Sequence, residues 1–493
     1  MMRKNLVSLL LISLLLVVNT TAISENVQTT NKSKERNNFA EERISLNRGI
    51  LEKAEKFSPI FKVKSRSDIH LAKWRTHFLE RGYRLSGEIS FFKKSSYSIK
   101  DGKPPKGKTI YVPDDYSTIQ KAVNHAQPGD TIIVRDGTYV ENIVINKPYL
   151  TIKSENGPEN CIVKAESDDD PVFLIYGNYT TLTGFTIIDG EVGIELDDSS
   201  NNIITNNIIS NNECDGIWLW WSSNNIIMNN TISNNEWYGI ELWDSSNNRI
   251  SNNTFIKDGI SIWYSYQNTI EGNTVNGKPL VYLEGKTNVE IEDAGQVILV
   301  NCSDIEVKNL NLSNTDVGIE LWNSKNCRIE SNVISKNEDG IELWDSSNNI
   351  IANNSISNNE WDGIELWDSS NNIIANNIIS NNGDSGIWLD ESRGNTITKN
   401  NIDNNERGIL LWNSFGNRIT KNNFIRNLIQ ATFEDSLFNW WFNNYWDDWK
   451  WKFSLPRPIK GTISLEFIDR DFIDRDIPWI NFDWHPSTEP LEG

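Results

Sequence analysis

A ten-residue phrase, Gly-Ile-Glu-Leu-Trp-Asp-Ser-Ser-Asn-Asn, begins at Gly239, again at Gly340 and again at Gly363. Looser copies begin at Gly193, Gly216, Gly259, Gly318, Gly386 and Gly408, and neighbouring copies lie 20–23 residues apart except for one gap of 59 between Gly259 and Gly318. A unit this short cannot close a core by itself. A fixed period of this length therefore means units stacked on one another, each burying its neighbour's apolar face.

With each glycine numbered zero, positions 1 and 3 are nearly always aliphatic, as in Ile341 and Leu343 or Ile364 and Leu366. Position 11 is always aliphatic (Ile204, Ile227, Ile250, Ile351, Ile374) and position 16 is apolar (Ile209, Ile232, Phe255, Ile356, Ile379). Each unit thus holds three short strands that turn alternate side chains inward. Stacking pairs every strand in parallel with its equivalent on the next coil and makes the core continuous, in roughly a dozen coils. The long gap holds an insertion and one degenerate unit, QVILVNCSDIEVKNLNLSN, with Val297 and Leu299 at the core positions. Asn recurs at position 9 (Asn202 to Asn417) and position 14 (Asn207 to Asn422). Its amide suits tight corners and bonds to the same amide one rung away, so these columns are read as structural ladders.

The segments outside the repeat have other tasks. Arg3-Lys4, the apolar run Leu6–Val18 and a small polar exit match a secretory signal peptide over residues 1–23. The run is too short for a membrane span, which needs about 20 residues. Residues 24–108 are polar, with helical patterns at 39–57 and 66–82 and a linker, KDGKPPKGK, at their end. The solenoid is placed at 109–436 and a Trp-rich C-terminal cap at 437–493, the cap being expected because an open end would expose strand edges.

Lys and Arg number 47 against 67 Asp and Glu, a formal net charge of −20 that argues against nucleic-acid and anionic-membrane partners. Four cysteines, Cys161, Cys214, Cys302 and Cys327, are too few for a disulfide framework; one bridge or free buried thiols both remain open.

The Gly-Ile-x-Leu and Asn-Asn pattern over residues 109–430 resembles the NosD-like class of right-handed parallel β-helices, in the pectin-lyase-like superfamily. The opening YVPDDYSTIQKAVNHAQPGDTIIVRDGTYVENIVINKPYLTIKS resembles the first coils and capping helix of such proteins, and GKPLVYLEG at 277–285 resembles an insertion recurrent among NosD-like chains. The resemblance implies an all-β solenoid. It also implies a role in maturing a copper enzyme, and here the sequence departs from it. Copper favours His, Met and Cys ligands. His70, His77, His125 and His485 are scattered, and beyond Met1 and Met2 only Met228 remains. No copper site is assigned; weak Ca²⁺ binding at Asp-rich turns is compatible with the sequence.

The feature that bears on function is a column of Trp at position 4: Trp220, Trp243, Trp263, Trp322, Trp344, Trp367 and Trp412, interrupted at Val300 and Asp390. Beside it at position 2 stand Glu320, Glu342 and Glu365. With positions 1 and 3 inward, both columns point outward. An open aromatic row stacks on sugar faces while carboxylates accept sugar hydroxyls, so these ten residues are the candidate carbohydrate-binding site. The competing expectation is that Trp packs on Trp or lies under the tail. No catalytic residue is assigned, since a carboxylate pair that merely follows a repeat is supplied by the repeat. The sequence thus points to an exported, secreted or cell-surface, β-helix binding protein with a polysaccharide as partner. A polysaccharide-degrading hydrolase or lyase, favoured by a carboxylate cluster that breaks the repeat beside a cleft, and a structural or adhesive surface module are the alternatives.

Overall fold

The structure, a computed structural model, describes residues 106–449, 455–464 and 476–491. The expected leader at 1–23 and the two helical patterns lie outside the described residues, as does the expected polar region 24–108 up to residue 105. The described residues form a parallel β-solenoid of about 15 turns, more than the roughly a dozen that the period predicts. The helix within them is Ile119–His125, capped at its N-terminus by the Thr118 side chain and seated by Ile119, Ala122 and Val123 on the first coils.

Register follows the repeat. Ile194, Ile217, Ile240 and Ile260 stack on successive rungs, as do Leu196, Leu219, Leu242 and Ile262. Positions 1, 3, 11 and 16 line the interior, where side chains such as Ile217, Leu219, Ile227 and Ile232 are wholly buried. The glycine at position zero is required by close approach: a Cβ on Gly363 would lie 2.6 Å from the Gly386 carbonyl oxygen and 2.7 Å from an Ile379 methyl.

The Asn-Asn pairs divide their work. The first Asn takes the left-handed backbone, as at Asn224 (φ 61) and Asn229 (φ 56). The second is buried and builds the ladder: Asn372 Oδ1 accepts the Asn349 N–H at 2.8 Å, while Asn372 Nδ2 donates to the Ser346 carbonyl at 2.9 Å and to Asn395 Oδ1 at 3.2 Å. Two further columns close the remaining corners. One is Asn at position 19, Asn359 donating to Asn382 and Asn382 to Asn405, and the other is Ser at position 6, Ser346 N–H to Ser369 Oγ.

The solenoid is built as two stacks. The sheet that reaches Ile260–Trp263 stops there. After Thr274–Val275 the chain doubles back, and Lys278–Glu284 runs antiparallel to it, pairing Thr274 with Pro279 and Val275 with Lys278. That strand starts a second stack, continued in parallel by Gln296–Val300, Val317–Trp322, Asp339–Trp344 and Ile364–Trp367. Val297 and Leu299 take the core positions expected of them. Their outward neighbours Ile298 and Val300, with Trp322 and Trp344, pack instead on the core of the first stack. The lateral face of the second stack therefore closes the open end of the first. This explains the interruption at Val300: there the outward face meets an apolar core end.

At the far end of the second stack, Arg457–Ser464 and Asp476–Asp483 form an antiparallel pair. Gly461 lies beside Phe433, and Asp483 beside Trp441. The Asp483 carboxylate terminates an Asn ladder by accepting the Asn444 N–H and Nδ2 at 3.0 Å each and the Trp446 indole N–H at 3.1 Å.

Candidate binding cleft at the stack junction

The last rung of the first stack, Ile260–Trp263, has backbone groups that no further strand satisfies. Side chains from the second stack satisfy them. The Gln296 amide accepts the Ile260 N–H at 2.9 Å and donates to the Ile260 carbonyl at 2.8 Å. Glu320 Oε1 accepts the Ile262 N–H at 3.1 Å, and Asp316 Oδ2 accepts the Gly239 N–H at 3.0 Å. These are outward positions of the second stack turned into an end cap, as buried backbone donors demand.

The predicted Trp and Glu columns meet here, and their exposure is corrected. Trp322 is 1 % exposed, Trp344 7 % and Glu320 0 %; Trp263, Glu342 and Glu365 are buried too. Trp220, Trp243, Trp367 and Trp412 are half-buried. The rings do point away from their own coils. They stack on one another, Trp322 on Trp344 with centroids 5.1 Å apart and Trp344 on Trp367 at 4.9 Å. The first stack supplies the cover: Trp263 lies 4.3 Å from Trp344, and Tyr264 5.2 Å from Trp322. The described tail packs at the other end of the second stack. Each Glu accepts the indole N–H two residues on, Glu320 from Trp322, Glu342 from Trp344 at 3.1 Å and Glu365 from Trp367. The two columns satisfy each other.

Behind them lies a group of acids at positions −1 and −2, just before the glycine from which each unit is numbered, among them Asp258, Asp316, Glu338, Asp339 and Asp362. The signal was present as Asp-Gly at 258–259, 339–340 and 362–363. Burial pushes the Asp258 carboxyl up to about 7. Burial, against the opposing Trp322 and Ile262 hydrogen bonds, raises Glu320 to about 8, and burial with the neighbouring Glu320 raises Glu342 to about 8. Asp316, Glu338, Asp339, Asp362 and Glu365 are held well above the ordinary carboxylate range, first by burial and then by neighbouring carboxylates such as Asp258, Glu342 and Asp384.

A cleft of about 320 Å³ opens at this junction. The first stack contributes Asn235, Glu236 and Lys257; the second contributes Asn314, Thr315, Lys336, Asn337, Glu338, Asn358 and Glu360. Every lining residue carries a polar side chain, and together they mix amides, a hydroxyl, carboxyls and two ammonium groups.

A parallel solenoid with an Asn-laddered repeat and an N-terminal helix over its first coils is a β-helix protein. Residues 123–291 and 277–452 match the family described as periplasmic copper-binding protein (NosD), and the chain belongs to that family. A cell surface glycoprotein of Methanothermus fervidus is 37 % identical over 106 residues, 21 % of this chain; the match spans 17 % of that protein. An alginate lyase from a Paenibacillus strain is 16 % identical at a TM-score of 0.28, covering 68 % of this chain and 95 % of its own. A DFA-IIIase from Arthrobacter chlorophenolicus, in complex with GF2, is 12 % identical at 0.32, covering 64 % and 94 %.

The family description implies copper, and the described residues do not fit it. His125, the last residue of the N-terminal helix, stacks on Tyr116, whereas His485 meets Phe442 near the C-terminus. Cys161, Cys214, Cys302 and Cys327 are free and buried, and burial pushes the thiols of Cys161 and Cys327 up to about 12 and about 11. His70 and His77 lie outside the described residues. Among the described residues the three-ligand group is Asp339, Asp362 and Glu365, with carboxylate oxygens within 4.8 Å of one another. Such an all-oxygen set suits a hard cation such as Ca²⁺, not copper.

Proposed function

We propose that this chain is an exported surface β-helix protein that binds carbohydrate in the junction cleft. The observation that carries this reading is the cleft's lining. Pockets for apolar ligands are walled by aliphatic and aromatic groups; this one offers amides at Asn314 and Asn358 and carboxyls at Glu236 and Glu360. Such a wall matches a ligand dense in hydroxyls. The surface assignment draws support from the leader-like start of the sequence and from the cell-surface relative. None of the column residues lines the cleft; a sugar contact outside it is proposed for the half-buried rings Trp220, Trp243, Trp367 and Trp412, not for the covered Trp263, Trp322 and Trp344 with their glutamates.

The test is a glycan array with the full secreted chain, alongside a reducing-sugar assay. Selective retention of a saccharide, lost in Asn358→Ala and Glu360→Ala, supports the reading. Absence of any retained glycan, or retention indifferent to both variants, overturns it.

One observation favours hydrolysis as a second reading. Glu338 lines the cleft and, held well above the usual carboxylate range first by burial and then by Asp316, keeps its proton as a general acid must. Release of reducing ends that disappears in Glu338→Gln would convert the binding protein into an enzyme.

A further inference from the structure

Resting on the carbohydrate reading, we propose that the junction cleft selects an acidic saccharide, whose anionic substituent is held between Lys257 and Lys336.

The two lysines occupy the same corner, position 18 of the unit, in two different stacks. Elsewhere this corner is filled by Asn211, Asn234, Asn314, Asn358, Asn381 and Asn404, all left-handed at φ 54–58. Lys257 and Lys336 adopt the same backbone at φ 60 and 59. Asn tolerates this conformation better than Lys does, so the corner itself does not call for lysine. Arg426, the other exception, is accounted for by its ion pair with Asp403. Lys257 and Lys336 are exposed, and no ion pair holds either of them among the described residues. Lysines also occur one corner earlier at Lys399 and Lys421, left-handed too, but outside the cleft. What distinguishes Lys257 and Lys336 is convergence: the packing of one stack's end on the other's side brings both to one cavity.

Charge gives the arrangement its meaning. A chain of net charge −20 repels anions over most of its surface. In the cleft, Lys257 and Lys336 offset the Glu236 and Glu360 carboxyls of the same lining and place two ammonium donors, held by no ion pair among the described residues, where an anionic substituent can be met. A neutral sugar can take only ordinary hydrogen bonds from them, whereas an anionic substituent takes charge-assisted ones, which are roughly twice as strong. Glu236 and Glu360 are then free to accept hydroxyls. A uronic acid or a sulfated sugar carries both kinds of group on one ring.

The experiment is calorimetric titration of the full chain with three probes of one linkage and length: a hexuronate tetrasaccharide, its neutral hexose counterpart and the sulfated neutral form. Lys257→Asn and Lys336→Asn restore the residue that other coils carry, so folding is preserved; Lys399→Asn is the control. We expect one or both acidic probes to bind at least about tenfold more tightly than the neutral one at low salt, with each cleft variant weakening acidic binding about fivefold and the neutral probe unaffected. The better acidic probe tells carboxylate from sulfate. Equal affinity for acidic and neutral probes, or acidic binding indifferent to both cleft variants, overturns the inference while leaving sugar binding in place. Failure of every probe, together with a blank glycan array, removes both.

Discussion

The Glu320 carboxylate accepts the backbone N–H of Ile262 at 3.1 Å, so a side chain from the outer face of one stack completes the sheet edge of the other. The same oxygen accepts the Trp322 indole N–H. This one group holds both the edge of the first stack and the aromatic seam that covers it.

Glu320→Ala should therefore leave two buried donors without an acceptor and cost about 2–3 kcal/mol at pH 6, read by chemical denaturation. Glu320→Gln keeps an acceptor oxygen in place and should stay within about 1 kcal/mol of the parent. Equal losses in both variants would show that the hydrogen bonds accepted by this oxygen are not what holds the junction.

The acids of the junction set the direction of its pH dependence. Glu320 and Glu342 are raised to about 8 and Asp258 to about 7, in each case first by burial. An unfolded carboxyl titrates near 4. The folded state thus holds these protons more tightly, so their contribution to stability is complete below about pH 4 and is lost as pH rises through 7 to 8. The melting temperature should fall between pH 5 and pH 9, and Glu342→Gln should flatten that fall. A midpoint that rises over this range would contradict the burial of these groups.

The solenoid was legible because its determinants are local and repeated: Gly363 needs its missing Cβ, Ile364 and Leu366 alternate inward, and Asn372 meets Asn349 and Asn395. The junction was not, because which outward face becomes covered depends on how two stack ends meet. Ile298 and Val300 were the clue. They put apolar side chains on the Glu and Trp columns, where an exposed face had no reason for them. The outward direction of Trp344 follows from Leu343 pointing inward, but its burial by Trp263 follows from nothing within its own unit. The cleft was hidden for the same reason. Lys257 and Lys336 occupy equivalent corners, and only the packing of the stacks makes them neighbours.

The Asn ladder offers a test free of the junction. Removing the Asn372 side chain leaves the Asn349 N–H and the Ser346 carbonyl without their buried partners. Asn372→Ala should cost about 2 kcal/mol or more. Asn371→Gly, at the preceding left-handed corner (φ 58), should be tolerated far better, since glycine adopts that backbone freely. Denaturation midpoints of the two variants compare them directly, and a larger loss at Asn371 would reverse the division of work within the pair.

The Trp seam separates cover from contact. Trp344 is 7 % exposed, stacked between Trp322 and Trp367 and touched by Trp263 from the other stack, whereas Trp221 is 41 % exposed. Truncating a buried aromatic costs about 3–5 kcal/mol. Trp344→Ala should lose about that much, and Glu342 loses its indole donor in the same variant. Trp221→Ala should lose less than about 1 kcal/mol. Saccharide affinity, measured where both variants remain folded, should be unchanged by Trp344→Ala if that ring is a joint between stacks. A variant that keeps its stability but loses sugar binding would return Trp344 to the ligand-contacting surface and place the glycan along the column instead of in the cleft.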